Sequence, residues 1–70
     1  MTFEAACGGR DWKPYPGTAL ECAQQALAEY YGFAPRKVRE VGTNTGLYKG
    51  LYGGSSWTVA VWVRTVEEPL

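Results

Sequence analysis

Histidine is absent from this 70-residue chain. Any mechanism that needs an imidazole base, or a histidine ligand for a metal, is therefore excluded. Cysteine is scarce: Cys7 and Cys22 are the two present. Two cysteines make no disulfide framework, and their spacing matches neither a zinc site nor a redox pair. A reducing compartment would leave both as thiols. No apolar run approaches the roughly 18 residues of a membrane span, and the N-terminus lacks a charged-then-apolar leader. The expectation is a soluble, cytoplasmic protein with no membrane partner. Net charge is missing as well, with seven Lys and Arg against seven Asp and Glu.

What is plentiful is aromatic surface. Aromatics reach 14%, with three Trp, five Tyr and two Phe, more than a core this small encloses. Some are expected at the surface, as packing devices or as a binding face. The charges are segregated despite their zero sum. Residues 1–33 carry a net −2, residues 34–66 a net +4, and Glu67 and Glu68 return the total to zero. The second half is thus basic, which suits an acidic or polyanionic partner, or simply a sheet edge guarded by cations.

The clearest element is a helix over 18–31. Thr18 and Glu21 have the spacing of a capping box, and Ala, Leu, Gln and Glu dominate the segment. Leu20, Ala23, Leu27 and Tyr30 or Tyr31 form the expected core stripe. Gly32 supplies a left-handed cap, Phe33 the contact beyond it, and Pro35 forbids continuation. Before the helix, Phe3, Ala5 and Cys7 alternate with polar or small neighbours over 1–7, which suits a short strand. Residues 8–17 read as a loop rich in Pro and Gly around Trp12, with Trp12 and Tyr15 expected to fold back over the core rather than dock a partner.

After the helix, 36–66 reads as antiparallel strands. Residues 36–43 favour a strand over a short helix, since Gly42, Thr43 and Thr45 are poor helix formers. Leu47, Lys49 and Leu51 alternate with Tyr48, Gly50 and Tyr52, and Gly53 to Ser56 is turn chemistry. Trp57 to Val66 alternates with both faces apolar, as a central strand does. A regular strand there would put Trp57 and Trp62 on opposite faces, at least one of them under the helix. Residues 67–70 read as a frayed tail. The expected fold is one α+β domain in (β)αβββ order. One helix lies across a three-stranded antiparallel sheet, four-stranded if residues 1–7 join.

No catalytic group emerges from this pattern. Cys7 has Arg10 nearby but no base to activate it, and Cys22 reads as a small buried residue. The carboxylates of Glu4, Asp11, Glu21, Glu29 and Glu40 show no pairing spacing, and the Gly50–Ser56 stretch lacks a phosphate loop's Lys-Ser/Thr. The expectation is a non-enzymatic protein-binding module, an adaptor or inhibitor of the small phage type by size, with no cofactor and no metal. Its binding residues are expected to be Arg36, Lys37, Arg39, Tyr48, Lys49, Tyr52 and Trp57, on an aromatic-basic sheet face or beside an open edge. The alternative is single-stranded nucleic acid on the same face, since aromatics on a basic sheet can stack bases. The strand over 47–52 is expected to be an unguarded edge, giving a homodimer or accepting a partner strand.

Overall fold

A computed structural model describes residues 2–53, 57 and 60–66. The outer positions of several expected elements, Met1, residues 54–56, 58–59 and the tail 67–70, lie outside the described residues. Strand β1 spans Thr2–Cys7, β2 Lys13–Tyr15, β3 Lys37–Glu40, β4 Leu47–Leu51 and β5 Val61–Val66, with helix α1 at Ala19–Tyr31. All strand pairs are antiparallel, in the order β2-β1-β5-β4-β3. The α+β class with one helix stands, but the sheet has five strands rather than three or four, in the order ββαβββ.

The extra strands come from the N-terminal third. Residues 1–7 supply no edge appendage; β1 pairs with β5 through six residue pairs, from Thr2–Val66 to Cys7–Val61. The loop read over 8–17 contains β2, three residues paired to β1 at Phe3–Tyr15, Glu4–Pro14 and Ala5–Lys13. Pro14 suits only an outermost strand, because it has no N–H to donate to a further neighbour. Residues 36–43 do form a strand, β3, on the opposite edge. Strand β5 lies at the centre of the sheet, as its two apolar faces suggest.

Helix α1 connects the two edges and packs against all five strands. Its start is fixed by Thr18, whose hydroxyl accepts from the Glu21 N–H at 3.2 Å while the Glu21 carboxylate accepts from the Thr18 N–H at 3.0 Å. Such a cap contributes about 1 kcal/mol. Gly32 ends the helix at φ 89°, and its N–H donates to the Ala28 carbonyl. A side chain at that φ would be strained. The buried face is Cys22, Ala23, Ala26 and Leu27, flanked by Ala19, Tyr30 and Tyr31. Leu20, assigned to the stripe from sequence, is instead 42% exposed. The face keeps Ala23, Leu27 and the tyrosines of the expected stripe, but it turns away from Leu20 toward the small side chains of Cys22 and Ala26.

From the sheet, Ala5, Cys7, Tyr48, Val61 and Val63 complete the buried core. Full burial of Leu27, the largest fully buried side chain, contributes about 1.5–3 kcal/mol. At the helix C-terminus the rings of Tyr30, Tyr31, Tyr52 and Phe33 pack one on the next in that order, and the Tyr52 hydroxyl donates to the Phe33 carbonyl at 2.8 Å. Glu29 ties β2 to the helix: its carboxylate pairs with the Lys13 ammonium at 2.7 Å and accepts from the Tyr15 hydroxyl. Those contacts, Lys13 first, hold the Glu29 carboxyl below its ordinary value. Tyr15 thus does fold over the core, while Trp12 departs to the other side of the sheet.

Both thiols are buried. Burial pushes Cys7 up despite the opposing pull of Arg10, and pushes Cys22 up to about 11. As pH rises, the unfolded thiol ionises before the folded one. The stability that Cys22 contributes below about pH 9 is therefore lost progressively toward pH 11. Urea denaturation midpoints are expected to fall over that window, and to fall less in Cys22→Ala. Equal alkaline losses in the two proteins would contradict this account of the core.

Candidate functional site

Strand alternation divides the sheet into two faces of different character. The inward face meets α1. The outward face has no helix, and it collects Glu4 and Ala6 of β1, Trp62 and Arg64 of β5, Leu47, Lys49 and Leu51 of β4, and Lys37 and Arg39 of β3. In register, Trp62 stands between Ala6 on one side and Leu47 on the other, Arg39 opposes Lys49, and Lys37 opposes Leu51. Two small or aliphatic neighbours leave the Trp62 ring prominent at 50% exposed.

The other two tryptophans reach the same face. Trp57 forms an isolated bridge with Leu51, and the Arg39 guanidinium lies over its ring at 4.4 Å. Trp12 lies beneath the Arg64 guanidinium at 3.9 Å and is 37% exposed. Trp57 and Trp62 were expected on opposite faces with one under the helix; neither lies there. The cause is a register change. Between the Tyr48–Val61 and Leu51–Trp57 pairings, β4 advances three positions and the facing segment four. Leu47 and Leu51 share one face of β4, so their partners Trp62 and Trp57 lie on one side of the sheet.

Electrostatically this face is positive. Lys37, Arg39, Lys49 and Arg64 share it, and Glu4 is the sole carboxylate among its described strand residues. Glu4 is already paired with Arg64. Of the residues expected to bind a partner, Lys37, Arg39, Lys49 and Trp57 are brought together here. Tyr48 and Tyr52 are not: Tyr48 is buried against α1, and Tyr52 is packed on Tyr31 and Phe33. The alternation along β4 itself separates Lys49 from both. Arg36 is exposed just before β3, one position out of phase with Lys37 and Arg39. The expected binding set lacks Leu47, Trp62 and Arg64, and it assigns Trp12 to the core instead of to a partner. Only the pairing of β1 with β2 and β5 brings Trp12 and Arg64 within reach of each other.

The edges differ from expectation too. Strand β4 is interior, flanked by β5 and β3, so it offers no unguarded edge. The true edges are β2, short and carrying Pro14, and β3, short and carrying Lys37 and Arg39. Both bear the devices that discourage strand addition.

On the helix side, a cavity of about 280 Å³ opens between α1 and β2, with Cys7, Arg10, Lys13, Tyr15, Glu29 and Tyr30 on its wall. The Gly8 backbone packs closely on the Tyr30 ring, where an added Cβ would come within 2.6 Å. The polar groups of this wall largely serve one another, through the Lys13–Glu29–Tyr15 contacts and the stacking of Arg10 on Tyr30. Among the described residues, no group of three or more Cys, Asp and Glu is arranged to hold a metal ion. No protein-family model, curated protein or solved structure matches the chain.

If Trp62 belongs to an outer face and Leu27 to the core, their truncations should differ sharply. Trp62→Ser is expected to change the unfolding free energy by less than about 1 kcal/mol, against about 2–5 kcal/mol for Leu27→Ala. Urea denaturation measures both, and the reverse ranking would place Trp62 in the core.

Proposed function

We propose that this protein is a non-enzymatic binding module that recognises another protein through the helix-free face of its sheet. The observation that carries the reading is the convergence of Trp12, Trp57 and Trp62 with Arg39, Arg64, Lys37 and Lys49 on that face. Trp and Arg are the residues that most often anchor protein interfaces, because they bury large area with few rotatable bonds and keep a polar edge. Trp62 is the natural anchor: it stands centrally, half exposed, between Ala6 and Leu47. A small core leaves little stability to spend on exposed indoles, so their concentration on one surface favours a role in binding over chance.

A second copy suits this face poorly. An isologous pairing would set each basic patch against its own image, and like charges brought together across an interface cost affinity. The guarded edges speak against strand-to-strand pairing of copies as well. A heterologous partner fits better, and the expected adaptor or inhibitor role is of this kind.

Single-stranded nucleic acid is the second reading, favoured by the open Trp62 ring among cations, since a base stacks on such a ring. The test compares three baits in a lysate of source cells: the wild-type protein, Trp62→Ser, and Gln24→Lys on the outer helix surface. The proposal expects a protein retained by the wild-type and Gln24→Lys baits and lost from Trp62→Ser. Retention of the same protein by all three would overturn it. Tight binding of oligothymidylate, with log K falling against log salt at a slope of about −2 to −3, would give the face to nucleic acid instead.

A further inference from the structure

The positive charge of the helix-free face is concentrated in a way that fold stability does not favour. Arg39 and Lys49 are direct cross-strand neighbours, and Lys37 stands two residues along β3 from Arg39. Like charges directly opposite on an antiparallel pair weaken it. Arg64 has Glu4 to offset its charge, but no carboxylate among the described residues pairs with Lys37, Arg39 or Lys49. The sheet thus carries three cations side by side without a counter-charge among the described residues.

Arg39 is also held in place. Contact with the Trp57 ring, 4.4 Å from the guanidinium carbon, restricts the side chain before any partner arrives, which lowers the entropy lost on binding. A guanidinium grips a carboxylate through two parallel N–H hydrogen bonds. Lys37 and Arg39 are about 6.6 Å apart along the strand, the same repeat as alternate residues of any extended chain.

Resting on the protein-binding reading above, we propose that the partner presents an extended acidic segment to β3 and β4. Two carboxylates in alternate positions meet Lys37 and Arg39, with Lys49 shared between them, and a following apolar side chain packs on Trp62. Charge complementarity selects this occupant. A second copy brings more cations to a site already crowded with them. A single strand of nucleic acid would bring anions but would find Trp62 as its one ring without a stacked guanidinium, where such ligands rely on successive stacking platforms.

The experiment titrates the full chain with short synthetic peptides and follows tryptophan fluorescence. The probe alternates Ser with two Glu and then Leu; its control replaces both Glu by Gln; oligothymidylate is the third ligand. Saturable binding of the Glu peptide is expected, weakening with salt, and dropping about tenfold or more in Arg39→Gln and in Lys49→Gln, as loss of a charge-assisted contact implies. The Gln peptide should bind at least tenfold more weakly than the Glu peptide. Because Lys49→Gln removes a like-charge contact, its denaturation midpoint should equal or exceed that of the wild type, so that lost binding is not lost folding. Equal binding of the Glu and Gln peptides, no binding of either, or tighter binding of oligothymidylate would each overturn the proposal. If the Trp62-dependent protein of the lysate is still captured by an Arg39→Gln/Lys49→Gln bait, the acidic segment is wrong while the protein-binding face stands.

Discussion

One helix has to cover a five-stranded sheet, and it can cover only one side. The thirteen residues of α1 span about 20 Å, and the four gaps between five strands span about 19 Å. The helix is therefore just long enough to run from the end of β2 at one edge to the start of β3 at the other. The side it protects holds the buried core: Ala5, Cys7, Tyr48, Val61 and Val63 from the sheet, and Cys22, Ala23, Ala26 and Leu27 from the helix. No second element among the described residues is left for the opposite side. The exposure of Trp62 and the open character of the basic surface follow from that single limitation.

The same arrangement explains which features could be read along the chain. Thr18, Glu21, Gly32 and Pro35 act on backbone groups within a few residues of themselves, so the helix and its ends are written locally. The alternation of Leu47 to Leu51 and of Val61 to Val66 is local too, and β4 and β5 follow it. Strand β1 is different. Its six pairs with β5 join positions about 60 apart in sequence, and nothing within seven residues announces such a partner. Strand β2 is three residues with a proline, ordered because β1 pairs with it and Glu29 holds it. Leu20 looked like a core residue because it is large, whereas the helix buries Cys22 and Ala26 because they are small. The open face was half visible: Lys37, Arg39, Lys49 and Trp57 were identifiable, but the pairing of Trp57 with Leu51 and of Trp62 with Leu47, which puts both indoles on one side, is a matter of register that alternation alone cannot supply.

Charge and aromaticity work together on this surface. Two of the indoles lie beneath guanidinium groups, which keeps large apolar rings partly covered in the free protein while orienting cations for a ligand. The cost falls on the sheet, where Arg39 faces Lys49. A domain of this size has little stability in reserve, so a destabilising pair beside the exposed Trp62 is most simply understood as serving the surface rather than the fold. The cysteines belong to the opposite category: buried, with thiols held neutral, they fill space where the helix meets the sheet.

Comparative fluorescence quenching tests most directly whether the helix leaves one tryptophan-bearing, positively charged face open. With three indoles on that face, two of them at least 37% exposed, iodide should quench most of the native emission. Its advantage over caesium at equal concentration should exceed that seen with free tryptophan amide, because the surrounding cations attract the anion and repel the cation. A blue-shifted emission that resists iodide, or an iodide advantage no larger than that of the free amide, would mean that the tryptophans are enclosed or that the surface around them is not basic.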